Sequence, residues 1–296
     1  MLVITTPTGD IGSQVLTRVL ETAPSEEVRV VVRDPARLPA PVRDRVEVVA
    51  GSHGDADVVD RAFDGADAVF WLVPPDSQAP SLDVAYSGFT RAAAKAFTVH
   101  GVSHVVGVSA LGRGTPVADR AGLVTASLAM DDLIAATGVA YRALANPTFM
   151  DNLLRQIASI RDDGVFTDTQ APDRRAPSAA TRDIAAVAVD LLLDRSWTGA
   201  GSVAVLGPED LSQEDMARIM TEVLGRPVRY RREPLENLAA RLTGFGAGEA
   251  FARGMVDMMR AKDEGLDDGV ARTPDTASPT TFRQWCEDVL RPAVLA

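Results

Sequence analysis

Near its start the chain carries residues suited to gripping a diphosphate: Thr6-Pro7-Thr8-Gly9-Asp10-Ile11-Gly12. They follow the apolar run Leu2-Val3-Ile4 and lead into Ile11, Val15, Leu16, Val19 and Leu20 at helical spacing. The apolar period changes across Gly9 and Gly12 from that of a buried strand to that of a helix. A strand-to-helix turn of this kind aims unpaired backbone N–H groups and the positive end of the helix dipole at an anion. Gly9 lets phosphates approach the backbone, and Gly12 lets the helix pack closely on the strand. Thr6 stands at the tight-turn position where the pattern usually has its first glycine, and a β-branched residue at positive φ is strained by about 1–3 kcal/mol. Either the turn is reshaped, with Pro7 fixing its own φ, or affinity for the ligand is reduced. Asp10 either caps the helix or points to solvent, because a carboxylate beside a diphosphate is unfavourable.

A second strand, Val28-Arg29-Val30-Val31-Val32, ends at Arg33. Dinucleotide folds place a carboxylate here for the ribose hydroxyls of NAD, or an arginine for the 2′-phosphate of NADP. Arg33 is a permanently charged, forked donor that suits phosphate, and Arg37 reinforces it. The expected cofactor is therefore NADP(H); a solvated loop charge is the plainer alternative for Arg33.

Further strand patterns follow at Val46 to Val49, Ala68 to Val73, His104 to Ser109 and Val139 to Leu144. Helical patterns precede the last two, over Leu82 to Thr98 and Ala126 to Thr137. This alternation predicts an α/β fold, a Rossmann-like doubly wound parallel sheet with right-handed crossovers. Ligands in such sheets lie across the C-terminal strand ends, so Ser52, Val73-Pro74, Ser109 and Asn146-Pro147 join the first loop and Arg33 as site candidates. Beyond Pro147 the spacing predicts helices over Phe149 to Arg161 (stopped by Gly164), Asp183 to Leu193, Ser212 to Leu224 with Ser212 as N-cap, Leu235 to Lys262, and Thr280 to Leu290. A loop spans Thr167 to Pro177, with strands at Val203 to Leu206 and Val228 to Tyr230. The expected division is a dinucleotide-binding domain over 1–148 and a smaller mixed substrate or lid domain over 149–296, with segments around 176–206 returning to the main sheet. Met255, Met258 and Met259 line a pocket for a flat apolar ligand or serve as plain core.

Composition narrows the function classes. The 296 residues are 46% hydrophobic with a formal net charge of −11 and no basic tract, which argues against direct nucleic-acid or anionic-membrane binding. No run reaches transmembrane length and Met1 leads straight into a strand, so a cytoplasmic location is expected. One cysteine, Cys286, excludes an internal disulfide, and three histidines (His53, His100, His104) form no metal-ligand cluster. His100 and His104 flank their strand away from the expected site; His53 either touches adenosine or supports a loop.

Taken in order, these segments resemble the NmrA-like branch of the atypical short-chain dehydrogenases/reductases, which includes NADPH-dependent quinone and triphenylmethane reductases. The resemblance rests on Ile4 to Gly12, Val32-Arg33-Asp34-Pro35, Gly65 to Phe70, Val106 to Gly112, Phe149 to Leu154, Thr181 to Ala185, Leu206 to Glu209 and Leu224 to Val228. It implies that Thr8, Gly9, Asp10, Ile11 and Gly12 hold the pyrophosphate, with Thr6 in the same cofactor-binding loop, Arg33 the 2′-phosphate and Leu72 to Pro74 the adenosine. Ser109, Asn146 and Pro147 then lie near the nicotinamide. Thr6 departs from the family loop, Ser52 replaces a usual aspartate, Ala145-Asn146-Pro147 replaces arginine-proline-glycine, and no base stands around Ser127.

The Tyr-x-x-x-Lys pair of conventional short-chain dehydrogenases, in which lysine lowers the tyrosine pKa for proton exchange, is missing: Tyr86, Tyr141 and Tyr230 are followed at that spacing by Thr90, Ala145 and Pro234. Reduction of an electron-poor quinone needs mainly proximity to the nicotinamide and hydrogen bonds to developing oxyanions. Ser109 and Asn146 are the catalytic candidates, with Ser127 beside them; Ser109 satisfying its own strand end and Asn146 supporting the Pro147 turn are the structural alternatives. Three functions follow: an NADPH-dependent oxidoreductase of a quinone or aromatic, polyketide-like molecule, working as monomer or homodimer; a non-catalytic NADP(H)-sensing regulator acting through a protein partner; or a ligand-binding protein that has lost its nucleotide.

Overall fold

The computed structural model describes residues 1–296. Its main strands are β1 (Leu2–Thr5), β2 (Val28–Val32), β3 (Glu47–Ala50), β4 (Ala68–Trp71), β5 (His104–Ala110) and β6 (Ala140–Asn146). The short β7 (Thr148–Phe149), β8 (Val165–Asp168) and β9 (Ala176–Ala179) follow, then β10 (Ala200–Ala204), β11 (Asp210–Leu211) and β12 (Arg229–Arg232). The helices are α1 (Asp10–Thr22), α2 (Ala40–Arg43), α3 (Ala56–Phe63), α4 (Phe89–Val99), α5 (Leu123–Ala135), α6 (Ile157–Asp163), α7 (Thr181–Leu193), α8 (Gln213–Leu224), α9 (Leu235–Gly244) and α10 (Glu249–Asp263).

Seven strands form one parallel sheet in the order β10-β6-β5-β4-β1-β2-β3, as the strand and helix alternation predicts. The chain reverses direction across the sheet between β1 and β4, which opens a crevice at their C-terminal ends. Thr5 bridges this point: its Oγ1 donates to Phe70 O at 2.9 Å and accepts from Leu72 N at 3.1 Å. Continuous apolar strands such as β1 and β4, buried on both faces, are what a parallel sheet covered by two helical layers requires. One face carries α1 and α7, with Val15, Val19, Ile184 and Ala188 in its core; the other carries α3, α4 and α5, around Val59, Phe63, Phe97 and Ile134. Thus α7 and β10, far along the chain, complete the main sheet.

The remaining residues build a smaller body around Phe166, Ile219, Met220, Phe282 and Trp285. It contains a three-stranded sheet, β11-β9-β7, and the parallel pair β12-β8. Several boundaries differ from the sequence reading for identifiable reasons. The loop expected over Thr167 to Pro177 is flanked by β8 and β9, strands too short to show a period. The strand expected at Val203 to Leu206 is shifted to Ala200–Ala204, because an exposed edge alongside β6 accepts Gly201 and Ser202, which have no apolar signal. The helix expected over Leu235 to Lys262 is broken between Gly244 and Glu249, where Gly246 has φ 89°. Phe149 to Arg161 begins as a 3₁₀ segment, and one π turn (Val84–Gly88) precedes α4. Ser212 caps α8, as predicted, and the cap is a reciprocal capping box with Asp215.

The smaller body is fastened to the sheet where α10 crosses α5. Gly122, just before α5, sits at φ 52°, ψ −111°, and a Cβ there would lie 2.0 Å from Gly254 O on α10. Gly122→Ala is expected to lower unfolding free energy by at least twice the cost of Gly101→Ala. Gly101 also has positive φ but open space around it, so its cost is the backbone term of about 1–2 kcal/mol. Urea unfolding of the two variants measures the difference.

Candidate active site

Thr6 is the one non-glycine residue with positive φ, at 51°. It adopts the conformation of the glycine it replaces, so the turn keeps its course and bears the strain. Gly9 N donates to Thr6 O at 3.0 Å, closing the turn. A Cβ on Gly12 would stand 2.1 Å from that same carbonyl, so only glycine lets α1 come this close. Gly9 is different: its backbone is ordinary (φ −90°, ψ 170°), and a Cβ there would meet Thr6 O at an unstrained 3.5 Å. Nothing in the protein itself demands glycine at 9, and the residue is exposed on the open side of the loop. No side chain caps α1, so its first N–H groups are left for an anion. Asp10 is exposed and makes no cap, its side chain lying at the cavity rim.

A cavity of about 850 Å³ runs along the strand ends from β3 to β5. Thr6, Thr8, Gly9, Asp10 and Ile11 line its middle. At one end stand Arg33 and Arg37, both exposed and neither paired with a protein acceptor, while Asp34 turns aside to accept from Ala36 N at 3.0 Å. His53 lies beside them with its ring between Trp71 and Phe89 and Nε2 2.9 Å from Leu72 O. Burial, helped by Arg33, pushes His53 down to about 4. It is therefore neutral near pH 7, donates to Leu72 O, and gives the wall a flat ring rather than a charge. Leu72, Val73 and Pro74 line the next stretch, as expected.

At the other end Ser109 and Ser127 face the cavity with Leu123, Val124, Phe149 and Met258. Of the three methionines singled out above, Met258 alone is on this wall. Ser109 Oγ donates to Asp131 Oδ2 at 2.5 Å and lies 3.5 Å from Ser127 Oγ; Tyr141 Oη donates to Asp131 Oδ1 at 2.6 Å. Asp131 is 4% exposed. Burial pushes its carboxyl up to about 6, against the opposing effect of the Ser109 and Tyr141 hydrogen bonds. Sequence reasoning missed this carboxylate. Its signal is faint but present: Asp131 falls four residues after Ser127, on the helix face shared with Leu123, Val124, Met130 and Ile134.

Four expected residues do not line the cavity: Ser52, whose Oγ accepts from Gly54 N at 3.2 Å within its own loop, and three that stand behind the wall. Asn146 is buried, and its Nδ2 donates to Ser109 O at 3.1 Å and Leu144 O at 2.7 Å, so it ties the ends of β5 and β6 together. Pro147 is buried next to it, and Gly12 lies under the Thr6 carbonyl. His100 pairs with Asp60, and His104 lies 3.0 Å from Trp197 O; both are remote from the cavity, as expected. Asp151, Asn152, Arg155 and Thr181 also line it, unanticipated, with Arg155 exposed and unpaired.

The two loop glycines separate folding from ligand binding. Gly12→Ala is expected to destabilise the fold by about 2–4 kcal/mol, since backbone must move. Gly9→Ala should unfold at the wild-type midpoint yet bind NADPH at least tenfold more weakly, as read by calorimetry beside thermal denaturation.

A family model described as NAD(P)H-binding matches residues 7–195. The (4-alkanoyl-5-oxo-2,5-dihydrofuran-3-yl)methyl phosphate reductase of Streptomyces griseus subsp. griseus is 35% identical over 233 residues, 78% of this chain and 76% of that protein. Quinone oxidoreductase 2 of Escherichia coli is 24% identical over 269 residues, 91% and 89% of the two chains. Among solved structures, the Citrobacter sp. triphenylmethane reductase complexed with NADP(H) superposes with a TM-score of 0.80 at 18% identity, covering 99% of this chain and 100% of that one. With its uncapped α1, glycine-cradled turn and seven-stranded parallel sheet, the chain belongs to the NAD(P)H-binding family and has the fold of the NmrA-like atypical short-chain dehydrogenases/reductases.

Proposed function

We propose that the protein is an NADPH-dependent reductase of small conjugated carbonyl compounds, quinones or aromatic polyketide-like molecules. The observation that carries this reading is the continuity of one cavity: an anion cradle at α1, two unpaired arginines at one end, and a mostly apolar chamber with two hydroxyls at the other. The relatives named above are reductases, one of a quinone and one of an oxo-dihydrofuran phosphate, which supports the same substrate chemistry.

In this reading Arg33 and Arg37 take the 2′-phosphate, the N–H groups at the start of α1 take the diphosphate, and Leu72 to Pro74 with the neutral His53 ring flank the adenosine. Bound dihydronicotinamide supplies hydride to the substrate carbon. Leu123, Val124, Phe149 and Met258 exclude water and press a flat ring into place, which raises the worth of each remaining hydrogen bond. Ser109 Oγ meets the oxygen on which negative charge develops, with Ser127 beside it, and Asn146 holds the Ser109 backbone in position. Arg155 offers an unpaired cation to an acidic substituent on the substrate.

Purified protein should oxidise NADPH in the presence of menadione or a conjugated lactone, and NADH far more slowly at equal concentration. Arg33→Ala should raise the KM for NADPH by about 10–100-fold, the worth of charge-assisted hydrogen bonds of roughly 1.5–3 kcal/mol, with little change in KM for NADH. Absence of turnover across such a panel, with NADP+ and NADPH bound unequally, would replace this reading with that of a redox-sensing regulator.

A further inference from the structure

We infer that Ser109 and Asp131 form a proton relay into the cavity, with Asp131 buried behind the reacting wall and Tyr141 fixing its orientation. The inference rests on the reductase reading above. Three features of the geometry carry it.

First, Asp131 is a buried carboxyl with only one cation near it, and that one is shared. Its nearest positive group is Arg113, whose Nη2 is 4.0 Å from Oδ2, and that guanidinium is already engaged by Asp132 Oδ1 at 2.9 Å and Leu128 O at 3.1 Å. Burying a carboxyl under such conditions is costly, and an asparagine would fill the space without that cost. Second, both carboxyl oxygens are held, one by Ser109 and one by Tyr141. The group therefore touches the cavity through one hydroxyl and has no solvent face of its own. Third, Ser109 is the hydroxyl on the wall, and the carboxyl decides which way its hydrogen points. While Asp131 is ionised, the Ser109 hydrogen points back at it. Once Asp131 is protonated, the carboxyl donates to Ser109 Oγ, and the Ser109 hydrogen is free to point into the cavity.

The charged and titratable groups facing Asp131 are Tyr141 from β6, Arg113 from the loop after β5 and Asp132 on its own helix. Burial outweighs the two hydrogen bonds and Arg113, and the carboxyl is pushed up to about 6. The proton is thus available in the range where such a relay works.

The chemistry balances. Hydride carries two electrons to the substrate carbon and leaves charge on the conjugated oxygen. That oxygen takes the hydrogen of Ser109 Oγ; the Ser109 O–H bond breaks as a new substrate O–H bond forms. Ser109 Oγ takes the Asp131 proton, leaving a carboxylate held by Tyr141. After product leaves, a solvent proton returns through Ser109 to Asp131, so each hydride is matched by one proton from water. Ser109 is the catalytic residue in this scheme; Asp131 and Tyr141 are positioning residues that act through it.

The test combines turnover with a titration that does not need it. With menadione and NADPH, wild-type kcat should be highest at low pH and fall as pH rises through the Asp131 pKa. Asp131→Asn should lower kcat at least tenfold and flatten that limb, with NADPH affinity within twofold of wild type; Asp131→Glu should restore part of the limb. Tyr141→Phe removes a hydrogen bond that favours the carboxylate, so its limb should move to higher pH, and this variant serves if Asp131→Asn does not fold. In parallel, ¹³C NMR of aspartate carboxyls should show Asp131 titrating well above ordinary aspartates and moving with Ser109→Ala and Tyr141→Phe. An Asp131→Asn enzyme with wild-type kcat and pH profile overturns the relay, as does an Asp131 that titrates with the ordinary aspartates. A wild-type protein inert toward the whole substrate panel defeats the reductase reading instead, and the titration then decides whether the coupled carboxyl exists.

Discussion

The approach of α1 to the Thr6 carbonyl is the contact on which the rest of this molecule depends. A Cβ at Gly12 would leave only 2.1 Å to that oxygen, so the helix seats on the sheet because residue 12 is glycine. That seating leaves the first N–H groups of α1 open at the mouth of the crevice between β1 and β4. It also forces Thr6 into a left-handed conformation at φ 51°. A turn held by Thr5 on one side and α1 on the other can sustain that strain, which a free loop would relax.

Charge is distributed around this point with a clear division of labour. The chain is acidic overall, and many arginines are tied down: Arg174 to Asp268, Arg182 to Asp288, Arg195 to Glu26 and Arg232 to Asp263. Arg29, buried inside the sheet edge, spends one nitrogen on the carbonyls of Ala62 and Asp64 and another on Glu47. Arg33, four residues later, has no such partner, and Arg37 joins it at the same end of the cavity. Behind Ser109 at the opposite end the pattern inverts, with the Asp131 carboxyl held out of water. A cavity with two unpaired arginines together at one end favours that end for the most highly charged part of a long anionic ligand.

Much of the main sheet was legible because its strands are buried on both faces and so must be apolar throughout. β1, β2, β4 and β5 announce themselves by runs of valine, isoleucine and phenylalanine, and the change of period at Gly9 marks α1. The smaller body was less legible. Its strands β7, β9 and β11 are two to four residues long and owe their conformation to neighbours far away in the chain. β10 was misplaced for the same reason: Gly201 and Ser202 are extended because β6 offers an edge, not because their side chains favour it.

For the site, the local chain determined the glycine loop at Thr6 to Gly12, Arg33, Leu72 to Pro74 and Ser109, since each lies at or just past the C-terminal end of a strand and a parallel sheet gathers such ends on one edge. Spacing alone could not show that Asn146 turns to two backbone carbonyls, that one methionine of three reaches the cavity, or that Asp131 stands behind Ser109. Those facts depend on where α5 lies against β5 and β6, which brings together residues 22 and 10 positions apart in the chain. A loop closed by local hydrogen bonds can be read from its own residues. A buried carboxyl receives its partners and its shifted acidity from the packing around it, and only the tertiary structure supplies that.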